Sequence, residues 1–273
     1  MTIELRPDDG VRLHASGDGR GGRFTTTAVW VTRAAILAGI IGGWAWVTRD
    51  ATWSSLIGTP SDVLDQLRTW AKEGAFWQDV GLTVTEAALG YGLGATAAVF
   101  LVALVVPFPR VDRFLAPFIA VANALPKIVL APLFILWLGF SMTSKVLFVA
   151  SGIFFLIFYG VYAGVRSMDR VLLDNARVLG ASRGRLVRDV YLPSILGWLI
   201  ASLQLSSAWA LTAAVVSEYL GSNSGIGFRI ALAQQTLAPS AVVAGIISVA
   251  IIAVVVDRLL MLVERRFTQW RVF

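Results

Sequence analysis

Asp174-Asn175-Ala176-Arg177-Val178-Leu179-Gly180, followed after nine residues by Val190-Tyr191-Leu192-Pro193, is a polar, arginine-rich interruption in an otherwise apolar chain. Leu172, Leu173, Ala176 and Leu179 fall at helical spacing and make one apolar stripe. Gly180 is a natural helix stop, because glycine enters the left-handed region without steric cost. Ser182 can cap a second helix carrying Leu186, Val187 and Val190, with Arg183, Arg185 and Arg188 around them. Leu192 and Pro193 then open an apolar run, and proline in a first helical turn loses no hydrogen bond. The stretch reads as a helix–Gly–helix elbow with an apolar ridge and a basic rim, a shape that fits a groove on a partner protein. Binding of anionic lipid would account for the arginines. It would not require the stripe or the Gly and Pro spacing.

On either side of the elbow the chain is apolar in blocks. Of 273 residues, 57% are hydrophobic and 15% charged, where a soluble domain carries about 25% charged residues. A bilayer crossing takes ~20 apolar residues as helix. Spans are expected at about 28–47, 82–106, 114–138, 146–165, 194–220 and 241–263. The fold class is therefore all-α, a polytopic membrane protein of six transmembrane helices. Residues 1–27 are polar and rich in Gly and Arg, and are expected to be a disordered tail. Residues 28–273 are expected to form a single transmembrane domain, with 166–193 as its cytoplasmic loop. The first span lacks a small-x-small cleavage site and reads as a retained anchor. Gly90, Gly92, Gly94 and Ala95 would let another helix approach the second span closely. Pro117, Pro126 and Pro132 interrupt the third. Val63, Leu64, Leu67, Trp70 and Ala71 line one face of a short helix begun by Pro60-Ser61-Asp62. That helix either lies at the membrane interface or packs on the mouth of the bundle.

Six spans put both termini on one side. Sixteen of the 23 lysines and arginines fall on that side, six of them in 166–192, against Arg49, Arg68, Lys72, Lys145 and Arg229 opposite. By the positive-inside rule the termini and the elbow are cytoplasmic. The net charge of +6 is thereby an orientation signal, with membrane lipid and not nucleic acid as its counterpart.

The elbow resembles the cytoplasmic EAA loop of ABC importer permeases, whose pattern is Glu-Ala-Ala, three residues, Gly, nine residues, Ile-x-Leu-Pro. Asp174 stands for the family Glu, Asn175 for the first Ala and Val190 for Ile. The run Ala124-Leu125-Pro126-Lys127-Ile128-Val129-Leu130-Ala131-Pro132-Leu133-Phe134-Ile135-Leu136-Trp137-Leu138-Gly139-Phe140 resembles a span of the nitrate/sulfonate/taurine-type permeases. Ser217-Glu218-Tyr219-Leu220-Gly221 with Gly225-Ile226-Gly227 resembles the segment after their fifth span. The resemblance covers about residues 80–265. It implies a type I ABC importer transmembrane-domain fold in the inner or plasma membrane of a prokaryote. It implies docking to an ABC ATPase subunit through Asp174, Ala176, Leu179, Gly180, Arg183, Leu186, Val190, Leu192 and Pro193. It also implies an extracytoplasmic substrate-binding protein and a second permease subunit, expected as a homodimer because one elbow serves one of two ATPase grooves.

No cofactor is expected on the chain itself, and ATP and Mg belong to the partner. A P-loop needs Gly-Lys-Ser/Thr, whereas Lys72, Lys127 and Lys145 are followed by Glu, Ile and Val. There is no cysteine, and the only histidine, His14, lies in the tail, so no metal site and no catalytic residue is expected. Candidate pathway residues are Asn123, Lys127, Ser206, Trp209 and Glu218, with Ser207 and Thr212 beside them. Lys127 follows Pro126, where freed carbonyls can line a cavity. It either faces the pathway or caps those carbonyls or pairs with a carboxylate. A pathway lysine favours an anion, and the resemblance implies an aliphatic sulfonate, taurine or nitrate-like one. A thiamine-precursor pyrimidine or a flavin is the alternative within the family. An ion-coupled secondary transporter is the rival class, but Glu86 and Glu218 sit near span ends and no inverted repeat is evident.

Overall fold

A computed structural model describes residues 26–105, 108–166 and 192–268, and between the last two 175, 178–186 and 188. The expected tail 1–27 lies almost wholly outside these residues. The described residues contain only helices. Five of them are long and apolar enough to cross a membrane, or six if one bent pair is a single span. Two compact units are present, divided after Val47. The first is helix α1, Thr26–Val47.

The second unit begins with two short helices, α2 (Ala51–Ile57) and α3 (Pro60–Lys72). Thr59 caps α3, its hydroxyl accepting from the Asp62 N–H at 3.2 Å. Val63 and Trp70 of α3 are buried, and the helix packs on the last long helix. Of the two sequence expectations for this helix, the packed one is realised. Helix α4 spans Gly74–Val105 and begins eight residues before the expected span.

The third expected span is two helices, α5 (Pro109–Ala124) and α6 (Ala131–Leu138), joined by a 3₁₀ turn at Lys127–Leu130. The segments 113–122 and 127–138 meet at 81°. Only Pro126 makes the break. Pro117 lies inside α5 and Pro132 in the first turn of α6, where its missing N–H leaves no carbonyl unpaired.

Helix α7 (Met142–Arg166) is the centre of the unit. Val149, Ile153, Ile157 and Val161 repeat every four residues and are fully buried. Helix α4 covers one side of α7, and α9 (Leu192–Leu220) covers another. Gly90 and Gly94 of α4 lie so close to Val149 and Ala150 of α7 that an added Cβ would overlap them. Gly92 points to open space, so only part of the expected small-residue face makes the contact. The seam with α9 reverses the roles. There Gly152 and Gly164 of α7 receive the indole rings of Trp209 and Trp198. Such seams let van der Waals packing act over the whole helix length, the main force available between helices in lipid.

Between α9 and the last long helix, α11 (Pro239–Thr268), in the stretch between the fifth and sixth expected spans, lies a further helix. Helix α10, Ile226–Gln235, packs on α9 and α11 and buries Ile226, Ala231 and Ala233.

Candidate functional site

The described part of the elbow keeps its expected punctuation. Gly180 has φ +81°. The Leu179 N–H bonds the Asn175 carbonyl at 3.0 Å. Ser182 accepts at its hydroxyl from the Arg185 N–H at 3.4 Å and at its carbonyl from the Leu186 N–H at 3.0 Å. This starts α8, Arg183–Leu186. Leu186 is buried, while Val178 and Leu179 are 86% and 87% exposed. Two adjacent apolar side chains thus stand free at the turn. Pro193 occupies the first turn of α9. Asp174, Ala176 and Val190 fall outside the described residues, and for Arg183 and Leu192 only the helical backbone is described.

Two of the candidate pathway residues come together. Lys127 and Trp209 line one pocket of about 230 Å³ with Ile128, Phe148, Thr212, Ala213 and Val216. The break at Pro126 places Lys127 there, and the close approach of α9 to Gly152 fixes Trp209. The Lys127 ammonium also stands 5.9 Å from the centre of the Phe155 ring, within range of a cation–π attraction. The result is a small chamber with aromatic walls, one cation and one hydroxyl.

Ser206 and Glu218 are placed elsewhere. Ser206 is fully buried and its hydroxyl donates to the Leu203 carbonyl of its own helix at 3.1 Å. Ser207 opens on a separate groove with Asp257. The Asn123 side chain lies outside what is described.

Glu218 belongs to a polar cluster at the end of the bundle opposite the elbow. Its Oε1 accepts from the Thr83 hydroxyl at 2.7 Å and its Oε2 from the Gly227 N–H at 2.8 Å. Thr83 also accepts from the Ile226 N–H at 3.1 Å. One carboxylate and one hydroxyl therefore take the first N–H groups of α10, which have no partner within that helix. Three residues after Thr83 on the same helix, Glu86 is paired with Lys145 at 2.9 Å. Both glutamates are fully buried and Lys145 is 3% exposed. Lys145 was expected in an outer loop. Its true place is inside α7, where the pair offsets the desolvation of each charge. Further out, Arg229 of α10 bonds Asp79 and, at 3.1 Å, Glu73. Its guanidinium lies 5.5 Å from the Trp70 ring centre and 5.6 Å from that of Phe76. Sequence reasoning missed Asp79, Thr83, Lys145 and Arg229 as partners. The signal was present, since Asp79, Thr83 and Glu86 follow at four and three residues on an otherwise apolar helix.

Residues 90–269 match the family model for the binding-protein-dependent transport system inner membrane component. The chain belongs to that family. It is thus an ABC importer permease. The permease is 31% identical over 232 residues, 85% of its length and 82% of the relative's, to SsuC of Bacillus subtilis (strain 168), which bears the name of an aliphatic sulfonates transport permease. It is 32% identical over 213 residues, 77% of its length and 80% of the relative's, to the riboflavin transport system permease protein RibX of Chloroflexus aurantiacus. Its fold resembles a chain in the crystal structure of a bacterial ABC transporter involved in alginate import. That match has TM-score 0.56 at 16% identity and covers 89% of the permease and 98% of the other chain.

Proposed function

We propose that the permease works as a pair of copies with two ABC ATPase subunits, and passes a small aliphatic sulfonate-like anion delivered by a binding protein. The observation that carries the substrate reading is the single chamber holding Lys127, Trp209 and Thr212. An ammonium in a passage of low dielectric attracts an anion strongly, since the interaction scales inversely with the dielectric constant. The aromatic walls suit a short alkyl group. The relative named for aliphatic sulfonates agrees with this. The relative named for riboflavin supports the second reading, a flavin or another uncharged precursor.

ATP and Mg are held by the ATPase subunit, and no chemistry occurs on this chain. ATP closes the ATPase pair, draws the two elbows together, and tilts the spans about the chamber. Lys127→Met should cut uptake of a sulfonate at least tenfold in reconstituted proteoliposomes without loss of assembled complex. If the assembled wild-type complex is stimulated in ATPase activity by a neutral precursor with its binding protein, and by no anion, the sulfonate reading fails.

The proposed orientation has the elbow in the cytoplasm and α10 outside. With Lys145 buried in its ion pair, only Arg49, Arg68, Lys72 and Arg229 remain of the charges counted opposite, so the bias is steeper than the sequence count. Single cysteines at Ser182 and Asn223, both exposed, should label from opposite sides of the membrane. Labelling of both from outside would overturn the orientation and the docking role together.

A further inference from the structure

The buried cluster of Glu86, Lys145 and Glu218 does not balance its charge. Two carboxyl groups face one ammonium, and none of the three is more than 3% exposed. The three side chains come from α4, α7 and α9 of the same chain, inside its own core. The other charged groups nearby are already engaged. Asp79 of α4 is met by Arg229 of α10, whose second nitrogen goes to Glu73 at the end of α3. Neither is available to Glu86.

Two details show where the imbalance lies. Glu86 Oε1 takes Lys145, while Glu86 Oε2 is buried with no hydrogen-bond partner. Glu218 is held by Thr83, three residues before Glu86 on the same helix α4. The Thr83 hydroxyl, moreover, has one hydrogen and two acceptors within reach. These are the Asp79 carbonyl at 3.0 Å and Glu218 Oε1 at 2.7 Å. A hydroxyl donates only once. A hydrogen on Glu218 Oε1 would donate to the Thr83 oxygen and free the Thr83 hydrogen for the Asp79 carbonyl. Glu218 Oε2 would still accept from the Gly227 N–H. The same hydrogen removes the excess negative charge, since two carboxylates at one buried site do not both ionise readily.

We propose that this cluster is a proton-binding site that takes up one proton, carried on Glu218 Oε1, and thereby fastens α10 to α4. Glu86 remains the anionic partner of Lys145. Loss of the proton would set two carboxylates against each other where α10 is anchored, so the attachment of α10 depends on pH. The site is independent of the transported solute and of Lys127.

The test is infrared spectroscopy of the complete importer in lipid at neutral pH. Exposed carboxyl groups are ionised there, so a protonated-carboxyl C=O stretch reports a buried acid. The wild-type complex should show that band, and raising the pH should remove it. Glu218→Gln should abolish the band and leave a complex that assembles in normal amount, because glutamine is neutral and keeps an acceptor for Gly227 and a donor for Thr83. Three results would overturn the proposal: no band in the wild type, a band unchanged by Glu218→Gln, or failure of Glu218→Gln to assemble. The last would mean that the fold requires the anion.

Discussion

Gly152→Leu is expected to abolish assembly of the permease. The Trp209 indole rests where a Cβ on residue 152 would stand, in the middle of the most buried helix in the bundle. A leucine there must either eject Trp209 or separate α7 from α9. Ejecting the ring drives it into the chamber beside Lys127 and Phe148. Separating the helices uncovers Phe148 of α7, which is buried and packs on the Trp209 ring. Overpacking a close-packed interior typically costs about 1–3 kcal/mol for added methylenes, and here the overlap is with a whole ring. We expect less than a tenth of the wild-type yield of monodisperse complex on size-exclusion chromatography. Gly152→Ala should be milder, and Trp209→Ala in the same chain should restore its yield, because the clash is with that one ring. A Gly152→Leu protein that assembles and transports normally would show that the α7–α9 seam is looser than its geometry.

This coupling of fold and chamber recurs across the molecule. The chamber exists because three unrelated local features converge. Pro126 breaks the chain and turns Lys127 inward. Gly152 lets α9 sink against α7 and brings Trp209 level with Phe148. The cluster around Glu218 then holds the far end of α9 to α4 and α10. Each feature is a glycine, a proline or a buried charge in a helix that lipid would otherwise leave featureless, and such residues carry a cost in hydrocarbon unless a partner answers them.

What could be read in the sequence followed from local chemistry. Apolar blocks marked the long helices, the elbow's glycine and serine marked its turn, and Pro126 marked the bend. The pairing of Lys127 with Trp209 was legible only as two separate candidates, because 81° of bend and a glycine contact decide which way each faces. Helix α10 was not legible. Its segment, Ser222-Asn223-Ser224-Gly225, opens with loop-forming residues, and its N–H groups are capped by Glu218 and Thr83 from distant parts of the chain. Lys145 was misplaced for a related reason. Periodicity places a lysine near a helix end in a loop, whereas its partner Glu86 lies 59 residues away. Tertiary partners of buried charges leave only a polar stripe on an apolar helix, and that stripe names one side of the contact.

Gly180→Val should uncouple transport while leaving the membrane domain intact. Gly180 sits at φ +81° with nothing within 4 Å of an added Cβ among the described residues, so the substitution meets no steric neighbour among them. Its cost is backbone strain alone, roughly 1–2 kcal/mol for an L-residue in the left-handed region, and a β-branched residue is the least tolerant. The elbow can relieve that strain by turning residue 180 to negative φ. Doing so redirects Val178 and Leu179, the exposed apolar pair that precedes it. We expect the variant to insert and purify as the wild type does, yet to lose at least nine-tenths of ATP-driven uptake in proteoliposomes. Gly180→Asn is the control, because asparagine also serves as the left-handed residue after a helix, and it should keep most of the uptake. Equal uptake by the valine variant would remove the elbow from the power connection. Equal failure of both variants would place the requirement in the missing side chain rather than in the backbone turn.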